Sequence, residues 1–195
     1  MLVTRVLSSV NAWILHNNLQ LNDNKTKILI FHAKHRPAPN LYCLQVASAN
    51  LKPTDHARNI GVIFYSNLSF DKQMEQICKF AFHSIRSISR IRKFLSMETA
   101  KTLLQAFVTS KLDNCNALLY GLPKNKIQRL QYVLNSAARL VTLSRKLDHI
   151  SPVLMELHWL PVEQRVEFKI LLFTYKVVNG MAPVYLQDLL DLAVA

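Results

Sequence analysis

The sequence predicts an α+β fold that is mostly α: a small partial sheet followed by a helical bundle. Three observations carry this. Strand-like apolar runs, Lys25–Phe31, Leu41–Val46 and Arg58–Tyr65, are confined to the first 70 residues. From Ser69 onward apolar residues recur at helical spacing, with cap and stop residues between the runs. And 195 residues that are 50% hydrophobic and 18% charged supply a packed core and exclude wholesale disorder.

In chain order, residues 2–20 read as an amphipathic helix with Val6, Val10, Trp13 and Leu15 among its apolar positions. LNDN, residues 21–24, is a turn, and Lys25–Phe31 is a buried strand. A loop with Pro37 and Pro39 leads to a strand at Leu41–Val46 and another at Arg58–Tyr65. Gly61 inside the latter reads as a bulge or a close backbone approach. Ser69 caps a helix to about Leu95, and Ser96 caps a second to about Leu112. Asn114–Leu119 is a short segment closed by Gly121-Leu122-Pro123, and Lys124 opens a long helix to about Ser144. Ser151-Pro152 has the form of an N-cap followed by proline at the first helical position. Pro161 and Glu163 open the last long helix, which Gly180 stops as a C′ residue; Pro183 starts a short terminal one. The regions are 1–68, 69–146 and 147–195. Trp13, Trp159, Phe168, Phe173 and Tyr175 stand among apolar neighbours and are expected in the core.

No apolar run reaches the roughly 18 residues a membrane span needs, and the alternating N-terminus is unlike a signal peptide. The expected location is intracellular, nuclear or cytoplasmic. Cys43, Cys78 and Cys115 form no CxxC pair, so buried, reduced thiols are expected.

The net charge of +12 is concentrated in the middle of the chain. Residues 1–70 carry 7 Lys/Arg against 2 acids, residues 71–146 carry 14 against 4, and residues 147–195 carry 3 against 6. Within the helix after Ser69, Lys79, His83, Arg86, Arg90 and Lys93 follow at steps of four, three, four and three, which puts them on one face. Met74, Ile77, Ala81, Ile85, Ile88 and Leu95 form the opposite, apolar face. A solvated helix face usually mixes signs, whereas this row holds no acid. The few tenths of a kcal/mol that each like-charge pair costs would be reversed by a polyanion, so nucleic acid is the expected partner. Lys124, Lys126, Arg129, Arg139, Arg145 and Lys146 add cations along the third helix, less well aligned, opposite Ile127, Leu130, Leu134, Ala137 and Val141.

Several chemistries are missing. With glycine only at 61, 121 and 180 no glycine-rich, phosphate-cradling loop can form, and no G-x-S-x-G elbow occurs. His32 and His35 share a loop, but a polar loop pair is more often unliganded than a metal site. Glu163 and Glu167 resemble an acid/base pair, yet their place at a helix start is explained by the dipole. No two acidic residues are adjacent. A catalytic site, a metal and a cofactor are all expected to be absent from this chain.

The strings WILHNNLQLNDNKTKILIF, ARNIGVIFYSNLSF, AFVTSKLDNCNALLYGLP, RLQYVLNSAARLVT and DHISPVLMELHWLPVEQRVEFKILLFTYKVVNGMAPVYLQDLL resemble, in order, the C-terminal part of reverse transcriptases of non-LTR (LINE-type) retrotransposons. The resemblance covers nearly the whole chain. It implies that residues 1–68 are the end of a polymerase palm and that a thumb-like basic region and a C-terminal helical region follow. By resemblance, Lys25 approaches the phosphates of the incoming nucleotide. Ile60, Gly61 and Val62 hold the primer end, and the basic helix lies along an RNA or DNA template–primer duplex. Lys27 stands where the family often has an acid. The aspartates that hold two Mg²⁺ ions in the family's palm have no counterpart here. The resemblance therefore implies an inactive fragment, an open reading frame begun at an internal methionine of a decayed element. The alternatives are a helical protein-interaction module and a translated relic without function.

Overall fold

The computed structural model describes residues 2–22, 25–33, 43–46 and 49–188. It is α+β and mostly helical, divided into two compact units, Met1–Gln73 and Met74–Ala195. Asp23, Asn24, Leu189 and Leu190 of the strings above lie outside the described residues, as do His35, Pro37, Pro39 and Leu41.

In the first unit, helix α1 (Leu2–His16) ends where Asn18 turns left-handed at φ 57°. The Leu19 N–H then reaches the Ile14 carbonyl at 3.0 Å and the Asn18 N–H the Leu15 carbonyl at 3.0 Å, closing the last turn as a Schellman motif. Trp13, expected in the core, is 63% exposed, and Val6, Val10 and Leu15 are exposed as well. Asn22, in the segment read as a turn, accepts the Lys25 N–H through both its side-chain oxygen and its carbonyl.

Lys25–Phe31 is not a strand. It touches its neighbours at points: a parallel bridge between Ile28 and Pro53, the Thr54 N–H on the Ile28 carbonyl at 2.8 Å, and the His32 N–H on the Ser66 carbonyl at 2.9 Å. Pro53 has no N–H to give, so a ladder cannot run through it. Strand β1 (Leu44–Val46) pairs antiparallel with β2 (Ala49–Leu51), a partner the pattern did not announce. Arg58–Tyr65 is likewise not one strand. It is the greater part of a hairpin, β3 (His56–Asn59) and β4 (Val62–Tyr65), in register His56↔Tyr65 to Asn59↔Val62. Ile60 (φ 46°) and Gly61 (φ 84°) are its two-residue turn, both left-handed as a type I′ turn requires. Gly61 is therefore a turn residue and not a bulge, and Ile60 carries the strain a β-branched residue meets at positive φ. Val62 and Phe70 are buried here, and the Gln73 side chain accepts from the Ile63 N–H at 3.1 Å.

Helix α2 (Asp71–Ile91) begins in the first unit and has its body in the second. Ser69 lies two residues ahead of it and bonds to the Asp71 N–H and carboxylate. After a 3₁₀ turn, Arg92–Phe94, Ser96 caps α3 (Met97–Leu104) by accepting from the Thr99 N–H at 3.1 Å. A π-helical turn, Gln105–Thr109, joins α3 to α4 (Ser110–Asp113). Asn116–Leu119 is 3₁₀, and α5 (Lys124–Thr142) follows. Helix α6 (Ile150–Glu156) is preceded by His149 as N-cap. Ser151 is thus inside the first turn, and Pro152 is tolerated there because the first four N–H groups have no intrahelical partner. Helix α7 (Val162–Val178) ends as read: Gly180 is left-handed at φ 67°, and the Met181 N–H bonds the Lys176 carbonyl at 2.8 Å. Residues 184–188 form a last helical turn.

The core of the second unit is largely apolar, with Arg92, Thr109 and Asn116 buried in it. Leu104, Val108 and Leu112, then Leu130, Val133, Leu134, Ala137 and Val141 of α5, and Leu154, Leu157, Trp159, Val162 and Val166 are all buried, and α3 packs against α5. Gln131 ties α7 to α5: its side-chain oxygen accepts the Val162 N–H at 2.8 Å. Trp159 is in the core as expected, whereas Phe168, Phe173 and Tyr175 are exposed. Helix α7 is apolar on both faces, and one of them has nothing over it among the described residues. Of the cysteines, Cys78 is buried, but Cys43 and Cys115 are exposed. No described helix is long and apolar enough to cross a membrane.

Candidate nucleic-acid interface

On α2 the helical period separates two chemistries. Met74, Cys78, Ala81 and Ile88 are buried, Ile77 and Ile85 are half-buried, and Lys79, His83, Arg86 and Arg90 are exposed on the other side. Lys93, exposed on the 3₁₀ turn, continues the row. From Lys79 to Lys93 the row runs about 21 Å at 1.5 Å per residue. None of the five forms an ion pair with a described residue. Glu75, exposed one turn before Lys79, marks where the single sign ends. No acid occurs from residue 76 to residue 97.

The α5 cations divide by role. Arg129 is exposed and lies close enough to Cys78 to oppose, by its charge, the rise that burial imposes on that thiol's pKa. Arg129 therefore stands beside α2. Lys126 is half-buried and engaged with a neighbour. Arg139 is half-buried and occupied: its guanidinium donates to the carbonyls of Arg145 at 3.3 Å and Asp148 at 3.1 Å. It shapes the loop on which Arg145 and Lys146 are exposed.

Sequence reasoning missed two cations. Arg92 is buried. Its Nε and Nη2 donate to the carbonyls of Leu140 (2.8 Å) and Val141 (2.6 Å), and its Nη1 to that of Leu95 (2.8 Å). It thus satisfies carbonyls that the end of α5 leaves without intrahelical donors. The signal was present: Arg92 falls on the apolar face of the helical wheel, off the cation row. Lys111 on α4 places its Nζ 5.6 Å from the centre of the Phe80 ring; only the fold brings it to α2.

In the first unit, Lys25 lines an open cavity of about 790 Å³ with Lys27, Arg58, Asn59, Phe31 and Phe64. Of the residues expected at a primer end, Ile60 is 87% exposed at the hairpin tip and Val62 is buried. The tip thus presents Ile60 and the Gly61 backbone. His32 hydrogen-bonds within its own loop to the Ala33 carbonyl. Glu163 and Glu167 line a separate cavity of about 320 Å³ with Tyr120, Lys124 and Ile127. Among the described residues no three His, Cys, Asp or Glu side chains come together to hold a metal ion.

No protein-family model matches this chain, and neither a curated protein nor a solved structure matches it.

Proposed function

We propose that this chain grips nucleic acid through the cation row of α2, as the thumb-like part of a non-LTR retrotransposon reverse transcriptase that follows the catalytic palm motifs. The observation that carries this is the row itself: four exposed cations and a histidine, spaced a turn apart along α2 and the 3₁₀ turn that follows it, with no carboxylate among them. Such a row is mildly self-repelling alone and favourable against phosphates. Residual affinity for an RNA–DNA template–primer duplex is the function. With no adjacent carboxylate pair in its sequence, the chain holds duplex without joining nucleotides, and the parent's Mg²⁺ is bound by residues other than these. Lys25, with Lys27 and Arg58 around the same cavity, would face nucleotide phosphate, and the Ile60–Gly61 tip the primer end.

Fluorescence anisotropy on a hybrid duplex at several salt concentrations tests the reading. If about six phosphates are contacted, affinity falls roughly a thousandfold between 50 and 200 mM salt. Binding that is absent, or flat across salt, rejects it.

One observation favours a second reading, a protein-interaction module. Phe168, Leu171, Tyr175 and Val178, at steps of three, four and three along α7, are all exposed, a stripe that soluble surfaces rarely leave open. A pull-down that survives nuclease and is lost in a Leu171→Glu variant would support it. If neither binding is found and the chain aggregates when expressed alone, the relic reading stands.

A further inference from the structure

We propose that the flank of α2 beside the cation row is a stacking platform for unpaired nucleotides, so that the partner is a nucleic acid with a single-stranded segment; this rests on the reading that the row binds nucleic acid. A second file of residues runs parallel to the cations: Phe80, Ser87 and Ile91 at steps of seven and four, then Phe94 three further on. At about 100° per residue these positions lie roughly 50° to 110° to one side of the Lys79–Arg90 row. Phe80 is 53% exposed, Phe94 is 76% exposed, and Ile91 between them is exposed too. Each ring has a lysine against it. The Lys111 Nζ is 5.6 Å from the Phe80 centroid, and the Lys93 Nζ is 4.8 Å from that of Phe94. A lone exposed phenylalanine is ordinary. Two of them, about 21 Å apart along α2 and the 3₁₀ turn after it, each with a cation and both bordering an acid-free row, make a repeated arrangement.

The arrangement discriminates between nucleic-acid forms. A blunt duplex offers phosphates and groove edges, and its base faces are hidden in the stack. It can satisfy the cations but leaves both rings in water. An unpaired strand offers phosphate and base face together, which is the combination single-strand binders use: a positive track with aromatic rings beside it. The lysines then serve twice, covering the ring when no nucleic acid is bound and meeting phosphate when a base takes their place.

The test compares three labelled probes by anisotropy: a blunt hybrid duplex, the same duplex with a short single-stranded extension, and a single strand of about 15 nucleotides, within the range such platforms occupy. Wild type is expected to bind the extended duplex at least about fivefold more tightly than the blunt one, the lower end of what stacking one base contributes. The Phe80→Ala, Phe94→Ala double variant should lose that gain while keeping its blunt-duplex affinity, which is also the control for folding. Phe80→Trp with Phe94→Trp should keep the gain, and the Leu pair should lose it. Equal wild-type affinity for blunt and extended duplex overturns the platform and leaves duplex binding intact. So does a gain that survives both alanines, or a loss that is equal for both probes. Single-strand binding abolished by the alanines, with no duplex binding, sustains the platform and rejects the duplex reading. Failure of all three probes rejects both.

Discussion

Helices α2 and α7 each have an arginine tie to a neighbouring element and each leave one long face in water, and they are opposite in both respects. On α2 the open face is cationic, and the holding residue just past its end, Arg92, is buried with three carbonyl acceptors. On α7 the open face is apolar, and the holding residue, Arg165, has one ionic contact, 3.2 Å to Asp113. The Arg165 Nε is buried with no partner. A charged open face is comfortable in water and needs no cover; its single sign is what calls for an explanation. An apolar open face is the reverse: its composition is ordinary for a core, and its exposure is the anomaly. The two helices thus point to different partners.

The largest effect should come from cutting the α2 anchor. Arg92→Ala leaves buried carbonyls at the end of α5 without donors and should cost about 3 kcal/mol of stability, read as a lowered urea midpoint. Arg92→Lys should recover only part of this, because a point charge does not span three carbonyls as a guanidinium does. A near-neutral Arg92→Ala would mean that α2 is held by its apolar face alone. Next in size, Arg86→Ala with Arg90→Ala should weaken duplex binding about thirtyfold near 0.15 M salt and flatten the log–log salt slope by about 1.8, the value for two phosphate contacts. Their unfolding should be unchanged, since both are exposed. Wild-type affinity in that variant would remove the row from the interface.

On α7 the expectation is inverted. Phe168→Glu and Leu171→Glu replace exposed side chains, so stability should move by no more than about 0.5 kcal/mol, while any association through that face is lost. A loss of several kcal/mol would show that this face is covered in the folded chain, and would erase the contrast with α2.

Where the sequence was legible, a local cause was enough. Ser96 capped because a serine hydroxyl reaches the N–H three residues on, and Gly180 stopped α7 because it is at ease at positive φ. The α2 faces sorted because the helical period alone separates them. Where it was not legible, the deciding partner was distant or the cue was two-sided. The helical wheel puts Arg92 on the apolar face, but what it does there depends on Leu140 and Val141, 48 and 49 residues away in sequence. Lys25–Phe31 has the composition of a strand, but the segment it meets contains Pro53. The periodicity of α7 announced burial for Phe168 and Tyr175, since an apolar pattern cannot say whether a neighbour exists to cover it. The Ile60–Gly61 turn was hidden because isoleucine is among the least expected residues at positive φ.

The smallest effect concerns the weaker anchor and depends on pH. Burial raises the Asp113 pKa above its ordinary 3.8, although the Arg165 guanidinium and the Lys169 ammonium pull it down. The ion pair does not fully offset the desolvation of the carboxylate. The folded chain therefore holds this proton more tightly than the unfolded chain does. Between 3.8 and the raised value, the contribution of Asp113 to stability falls as pH rises, opposite to the sign of a well-paired carboxylate. Asp113→Asn removes the titration, so subtracting the variant's urea-unfolding profile from wild type across pH 3 to 7 isolates the group. A difference that declines with rising pH makes Asp113–Arg165 a positional tie with little net stabilisation. A difference that climbs would make α7 as firmly anchored as α2, and only the chemistry of their open faces would then distinguish them.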